Sequence, residues 1–136
     1  MNSETRRRTI ADYVDTLAAR GRYHFTAAQL QEALGVSAPA ARNALKRLAT
    51  RNRVASPARG FYVVIPPEYR KLGCLPPEQF IPALADREGR PYYVGLLSAA
   101  QYYGAAHHRP QEFQVCLEKN RRPIACGGVR VALYRA

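Results

Sequence analysis

At 136 residues the chain has room for one average domain or two small ones, and it is long enough to bury a core without disulfide staples. A hydrophobic share of 47% excludes wholesale disorder, and the lack of a long apolar run argues against a spanning helix or a secretory leader. The unusual quantity is a net charge of +11, which calls for a polyanionic partner: DNA, RNA or an acidic membrane surface.

That charge is uneven. Residues 1–60 hold 11 of the 21 Lys and Arg but only 4 of the 10 Asp and Glu. Within this half, Ile10, Tyr13, Val14 and Leu17 recur at helical spacing, predicting an amphipathic helix over 4–20 that ends near Gly21. Arg6, Arg7 and Arg8 precede it and read equally well as phosphate contacts or as a solvated tail. Tyr23, His24 and Phe25 follow, and a His between two aromatics reads as a packing residue rather than a ligand.

The stretch Thr26–Leu48 carries the strongest pattern. Thr26 and Gln29 have capping-box spacing, Leu30 and Leu34 lie one turn apart, and Gly35 supplies a left-handed terminator. Ser37 then caps a second helix whose Pro39 falls in the first turn, where a missing N–H costs little. Ala41, Ala44, Leu45 and Leu48 form one apolar stripe along it. Arg42, Asn43, Lys46 and Arg47 occupy the opposite side, with no acid among them. Arg can fork onto guanine, Asn can pair with adenine, and Lys suits phosphate, so the pattern reads as the recognition helix of a helix–turn–helix. A solvated basic face on an ordinary helix is the plainer alternative; the short Gly-Val-Ser turn and the capped helix before it favour recognition.

Val54-Ala55-Ser56 and Phe61-Tyr62-Val63-Val64-Ile65 read as strands flanking a Pro57–Gly60 turn: either a wing with Arg59 at its tip, placed for a minor groove or phosphate, or a plain hairpin that only closes the core, with Arg59 the residue that discriminates. Pro66-Pro67 marks a boundary, and Tyr69 to Leu75 is expected to be a linker. Pro77 to Ala85 reads as a short helix broken by Gly89-Arg90-Pro91. A short extended piece from Tyr92 and a helix ending at Gly104 come next. Phe113, Val115 and Leu117 alternate as a strand, and Ile124–Cys126 with Val129–Tyr134 reads as a hairpin about Gly127-Gly128. A last strand of that kind, uncovered, would offer a partner surface or mark a lost C-terminal portion.

Tyr92-Tyr93-Val94-Gly95-Leu96-Leu97-Ser98-Ala99-Ala100, Tyr103-Gly104-Ala105-Ala106-His107 and Pro110-Gln111-Glu112-Phe113-Gln114-Val115, placed after a winged helix–turn–helix, resemble the AbiEi-type antitoxins of bacterial abortive-infection, type IV toxin–antitoxin systems. The resemblance runs from about Thr9 to Leu133, and the second block is its more specific part. It implies a transcriptional repressor of its own antitoxin–toxin operon, binding inverted repeats in double-stranded DNA. It also implies antagonism of a nucleotidyltransferase-like toxin without a stable complex. Members of this kind continue into a longer C-terminal domain, so either a short member or a truncated antitoxin portion is expected here.

Other chemistry is thin. Cys74, Cys116 and Cys126 are an odd count without a close pair, which suits a reducing cytosol. His107, His108, Cys116 and Cys126 lack zinc-ligand spacing, and Ser98 has no nucleophile elbow around it. Glu112 and Glu118 are weak grounds for a nuclease, and no P-loop or dinucleotide fingerprint occurs. The expectation is no enzyme, no cofactor, no metal and no membrane. Tyr92, Tyr93, Tyr102 and Tyr103 with Arg90, Arg109, Arg121 and Arg122 keep a second reading open, a module that stacks on single-stranded RNA. The sequence thus predicts an α+β chain: a winged helix–turn–helix at 1–66 and a small mixed α/β antitoxin-like domain at 72–136. It is expected in the cytoplasm as a monomer or weak homodimer, with Ser37, Arg42, Asn43, Lys46, Arg47 and Arg59 on DNA.

Overall fold

A computed structural model describes residues 9–89, 92–94, 111–117 and 124–135. The fold is α+β, with four α-helices and two sheets among those residues. Helix α1 (Ile10–Ala19) begins later than the periodicity suggests, because Thr9 holds an extended backbone and closes a capping box. Its hydroxyl accepts from the Asp12 N–H at 3.0 Å, and its own N–H donates to the Asp12 carboxylate at 3.2 Å. Residues 1–8, with Arg6–Arg8, lie outside the described residues.

Strand β1 (His24–Thr26) pairs with β3, a long-range contact that three residues of local pattern could not announce. Helix α2 (Ala27–Leu34) starts on the expected Thr26–Gln29 box, with bonds of 3.1 and 2.9 Å, and stops at Gly35 with φ +64°. Helix α3 (Ala38–Thr50) follows the Ser37 cap. Strands β2 (Val54–Ala58) and β3 (Phe61–Val64) then form the wing, completing a sheet of order β1-β3-β2. Pro57, expected in the turn, is a buried strand residue at an irregularity between Ala55 and Ala58, where its missing N–H breaks no ladder bond. The turn itself is Arg59-Gly60, with Gly60 at φ +75°.

The central strand β3 sorts its side chains by the two-residue strand period. Val64 and the half-buried Tyr62 pack with α1, α2 and α3, in a core that includes Val14, Phe25, Leu30, Leu45 and Val54. Phe61 and Val63 face the other way, into a second core with Cys74, Leu75, Phe80, Ile81, Leu84, Ile124, Cys126, Val129 and Val131. The stretch Tyr69–Leu75 is therefore no linker. Cys74 and Leu75 are fully buried, Tyr69 and Leu72 pack beside them, and the Leu72 carbonyl accepts from the Gly128 N–H at 2.7 Å. Apolar side chains at four of seven positions were the overlooked signal.

The expected Pro77–Ala85 helix divides into a 3-10 turn (Pro77–Gln79) and α4 (Ile81–Glu88), since Pro82 is tolerated only in the first turn of a helix. The second sheet has the order β4-β5-β7-β6, from β4 (Tyr92–Val94), β5 (Gln111–Leu117), β6 (Ile124–Cys126) and β7 (Val129–Arg135). Strands β6 and β7 form the expected hairpin about Gly127-Gly128. The expectation of an uncovered last strand holds only in part: β7 runs parallel to β5 over all seven residues, while β6 pairs antiparallel with its first three, Val129–Val131. The expected helix ending at Gly104 lies outside the described residues.

Candidate nucleic-acid interface

The chemistry of the N-terminal half is set by how α3 is mounted. Its buried stripe is Ala41, Leu45 and Leu48, with Ala44 half-buried, and this holds the helix on α1 and α2. The opposite side then has to face outward, and Arg42, Asn43, Lys46 and Arg47 are all exposed. Arg42 and Lys46 are four apart, as are Asn43 and Arg47, so they form two adjacent rows along the rod. At its N-terminal end the helix is small-sided, with Ala38, Pro39 and Ala40 exposed. Among the described residues, no bulky side chain of α3 itself stands in front of the first turn.

Ser37 is exposed, and its hydroxyl accepts from the Ala40 N–H at 3.2 Å. A hydroxyl used as an N-cap keeps its own O–H as a donor, and the helix N-terminus adds partial positive charge there.

Arg59, at the exposed wing tip, meets Arg42 across a cleft of about 680 Å³ between the start of α2, α3 and the wing. Gln31, Ala38 and Tyr62 also line it. Arg47 lies on the other flank of α3, beside Arg51, in a shallower groove of about 170 Å³ against Thr9 and Ile10 at the start of α1. The six expected residues therefore do not form one cluster. They make a band: the wing and Arg42 on one side, Asn43 and Lys46 along the crest, Arg47 on the far side.

What the cations are doing separates them further. Arg53 pairs with Asp15 at 2.6 Å, Arg22 donates to the His24 carbonyl and to the Gln29 side chain, and Arg70 donates to the Ile65 carbonyl. These hold the fold. Among the described residues, the side chains of Arg42, Asn43, Lys46, Arg47 and Arg59 make no hydrogen bond or ion pair within the chain. Two further arginines escaped sequence reasoning at this face. Arg51 lies one turn beyond Arg47, a spacing that could have signalled it. Arg87 reaches the wing from α4 through a long-range contact with no local signal.

His24 behaves as a packing residue. Its ring stacks on Phe61 at 6.0 Å, and burial, with the Arg22 charge in support, holds its pKa below the ordinary value. Cys74 and Cys126, far apart in sequence, are brought together as buried free thiols. The Cys126 sulfur, through a hydrogen bond, and burial both push the Cys74 thiol up, so it stays protonated at neutral pH. Among the described residues, no three His, Cys, Asp or Glu side chains gather as a metal site, and no helix is long and apolar enough to cross a membrane. Tyr102, Tyr103, Arg90, Arg109, Arg121, Arg122, His107, His108, Ser98 and Glu118 lie outside the described residues, as do the side chains of Tyr92, Tyr93, Glu112 and Cys116.

Two family models match the chain. One, described as a transcriptional regulator, AbiEi antitoxin, covers residues 12–65; the other, the AbiEi antitoxin C-terminal domain, covers residues 93–135. No curated protein and no solved structure matches it.

Proposed function

The chain belongs to the AbiEi antitoxin family, in which the N-terminal match is to a transcriptional regulator, and from that premise we propose that it binds duplex DNA sequence-specifically and represses its own antitoxin–toxin operon. The observation that carries this reading is the set of exposed, internally unengaged side chains on α3, of which Arg42 faces Arg59 across the cleft. A 13-residue helix is roughly 20 Å long, and a major groove about 12 Å wide admits one. With α3 in that groove, Asn43 on the crest reaches a base edge, Lys46 beside it meets phosphate, and Arg42 reads a guanine or the adjacent phosphate. Ser37 and Arg47 hold the backbone on either side, and Arg59 enters the neighbouring minor groove or its phosphates.

The operator is an inverted repeat read by two copies of a chain that is monomeric or weakly dimeric in solution, in the cytoplasm. The second half opposes a nucleotidyltransferase-like toxin without forming a stable complex, and the chain has no catalytic role. Binding of the upstream DNA, measured by fluorescence anisotropy against salt, tests the DNA part. Arg42→Ala is expected to cost about 1–3 kcal/mol if it reads a base, and to relax specificity at one position. Lys46→Ala is expected to weaken all sequences alike and to flatten the salt dependence by about one charge. If both variants bind like the parent, α3 is not the reading element. Rescue of toxin-expressing cells by those same variants separates antitoxin activity from repression.

A further inference from the structure

We propose that Arg87, on α4 in the second half of the chain, is part of the DNA-binding wing: it holds the tip in place and presents a second guanidinium to the phosphates that Arg59 meets. The proposal rests on the duplex-binding reading above and extends it to a residue outside the helix–turn–helix.

Helix α4 is anchored by Ile81, Leu84 and Ala85, all buried in the second core. Arg87 lies in its last turn and is exposed. Its Nη1 donates to the Arg59 carbonyl at 3.1 Å, across 28 residues of sequence. Its Nη2 lies over Gly60, so close that a Cβ there would meet it at 2.8 Å. The guanidinium therefore spans both residues of the turn. A guanidinium has five N–H donors in a fixed fork, and holding one carbonyl leaves donors for another acceptor. Two cations from separate segments then share the wing tip. A polyanion laid against the tip would meet both. Phosphate fits that role, since Arg recognises it bidentately.

The test is the affinity of the full-length chain for its upstream DNA across a salt series, for the parent, Arg87→Gln, Arg87→Lys, Arg59→Ala and Arg42→Ala, with hydroxyl-radical footprints of each complex. Arg87 is exposed, and an unchanged melting temperature will confirm that its variants fold. Arg87→Gln is expected to bind about five- to tenfold more weakly at moderate salt, with a log–log salt slope shallower by about 0.9, the value for one lost phosphate contact. Arg87→Lys keeps the charge and is expected to restore most of the slope. The footprint should lose protection at the same outer flank in Arg87→Gln and Arg59→Ala. An unchanged slope in Arg87→Gln, with Arg42→Ala still impaired, overturns the proposal and leaves the DNA reading standing. Equal losses in Arg87→Gln and Arg87→Lys with no change of slope also overturn it, because Arg87 would then serve only to hold the turn. If Arg42→Ala too is unaffected, the duplex-binding reading fails and this inference with it.

Discussion

Gly127 lies at φ +56°, in the left-handed region, and a Cβ at that position would collide with the Gly73 carbonyl. No flexible side chain is there to yield; the obstacle is backbone. Gly127→Ala is therefore expected to lose about 3 kcal/mol or more, read as a lower urea midpoint with an unchanged m-value. A milder effect belongs to His24. Its pKa is lowered in the folded state, so the neutral ring is the stabilised form. The contribution is complete above the ordinary value of 6.5 and is lost as pH falls below it through the folded value. The parent should thus lose more stability between pH 7.5 and 5.5 than His24→Phe, which keeps the stack on Phe61 but cannot titrate. Equal losses in the two proteins would show that His24 is not the group responsible.

At the scale of elements, what could be read in advance was whatever is written locally. The Thr26–Gln29 box, the Gly35 stop and the Ser37 cap each depend on residues within four of one another, and all three form as their side-chain chemistry dictates. The same holds for the outward face of α3, because a buried stripe of Ala41, Leu45 and Leu48 fixes which side is wet. Ser37→Ala is accordingly expected to cost about 1 kcal/mol of stability, and to weaken DNA binding through a frayed first turn as well as a lost donor. A urea midpoint indistinguishable from the parent would show that the cap is dispensable. The elements that escaped were non-local. Strand β1 exists because Val63, Tyr62 and Phe61 pair with His24, Phe25 and Thr26, and β7 is interior because β5 pairs along its whole length. Arg87 belongs with these: its importance appears only once α4 is folded against the wing.

At the scale of the whole molecule, the question is whether the two halves, 1–66 and 72–136, are separate folding units. The wing sheet argues for interdependence, since β3 is covered on both faces and supplies side chains to two cores. In a fragment ending at residue 66, Phe61 and Val63 would pass from 2% and 0% exposed to largely solvated, and the cover that Cys74 to Val131 give to the cluster beside Ala55 and Ala58 would be gone. Burying a Phe or Val side chain contributes about 1.5–3 kcal/mol, so this loss alone is about 3–6 kcal/mol, against a typical domain stability of about 5–15 kcal/mol. The wing would suffer first, because the Arg87 bond to the Arg59 carbonyl goes with the second half. The full chain is expected to unfold in one cooperative transition. The 1–66 fragment should melt earlier, bind a dye for exposed apolar surface, and have a weaker, less wing-dependent grip on DNA even where helices α1–α3 persist. If instead the fragment shows the parent's urea midpoint and the parent's footprint on both flanks, β3 needs no second cover, the halves are independent, and DNA recognition lies wholly in the first of them.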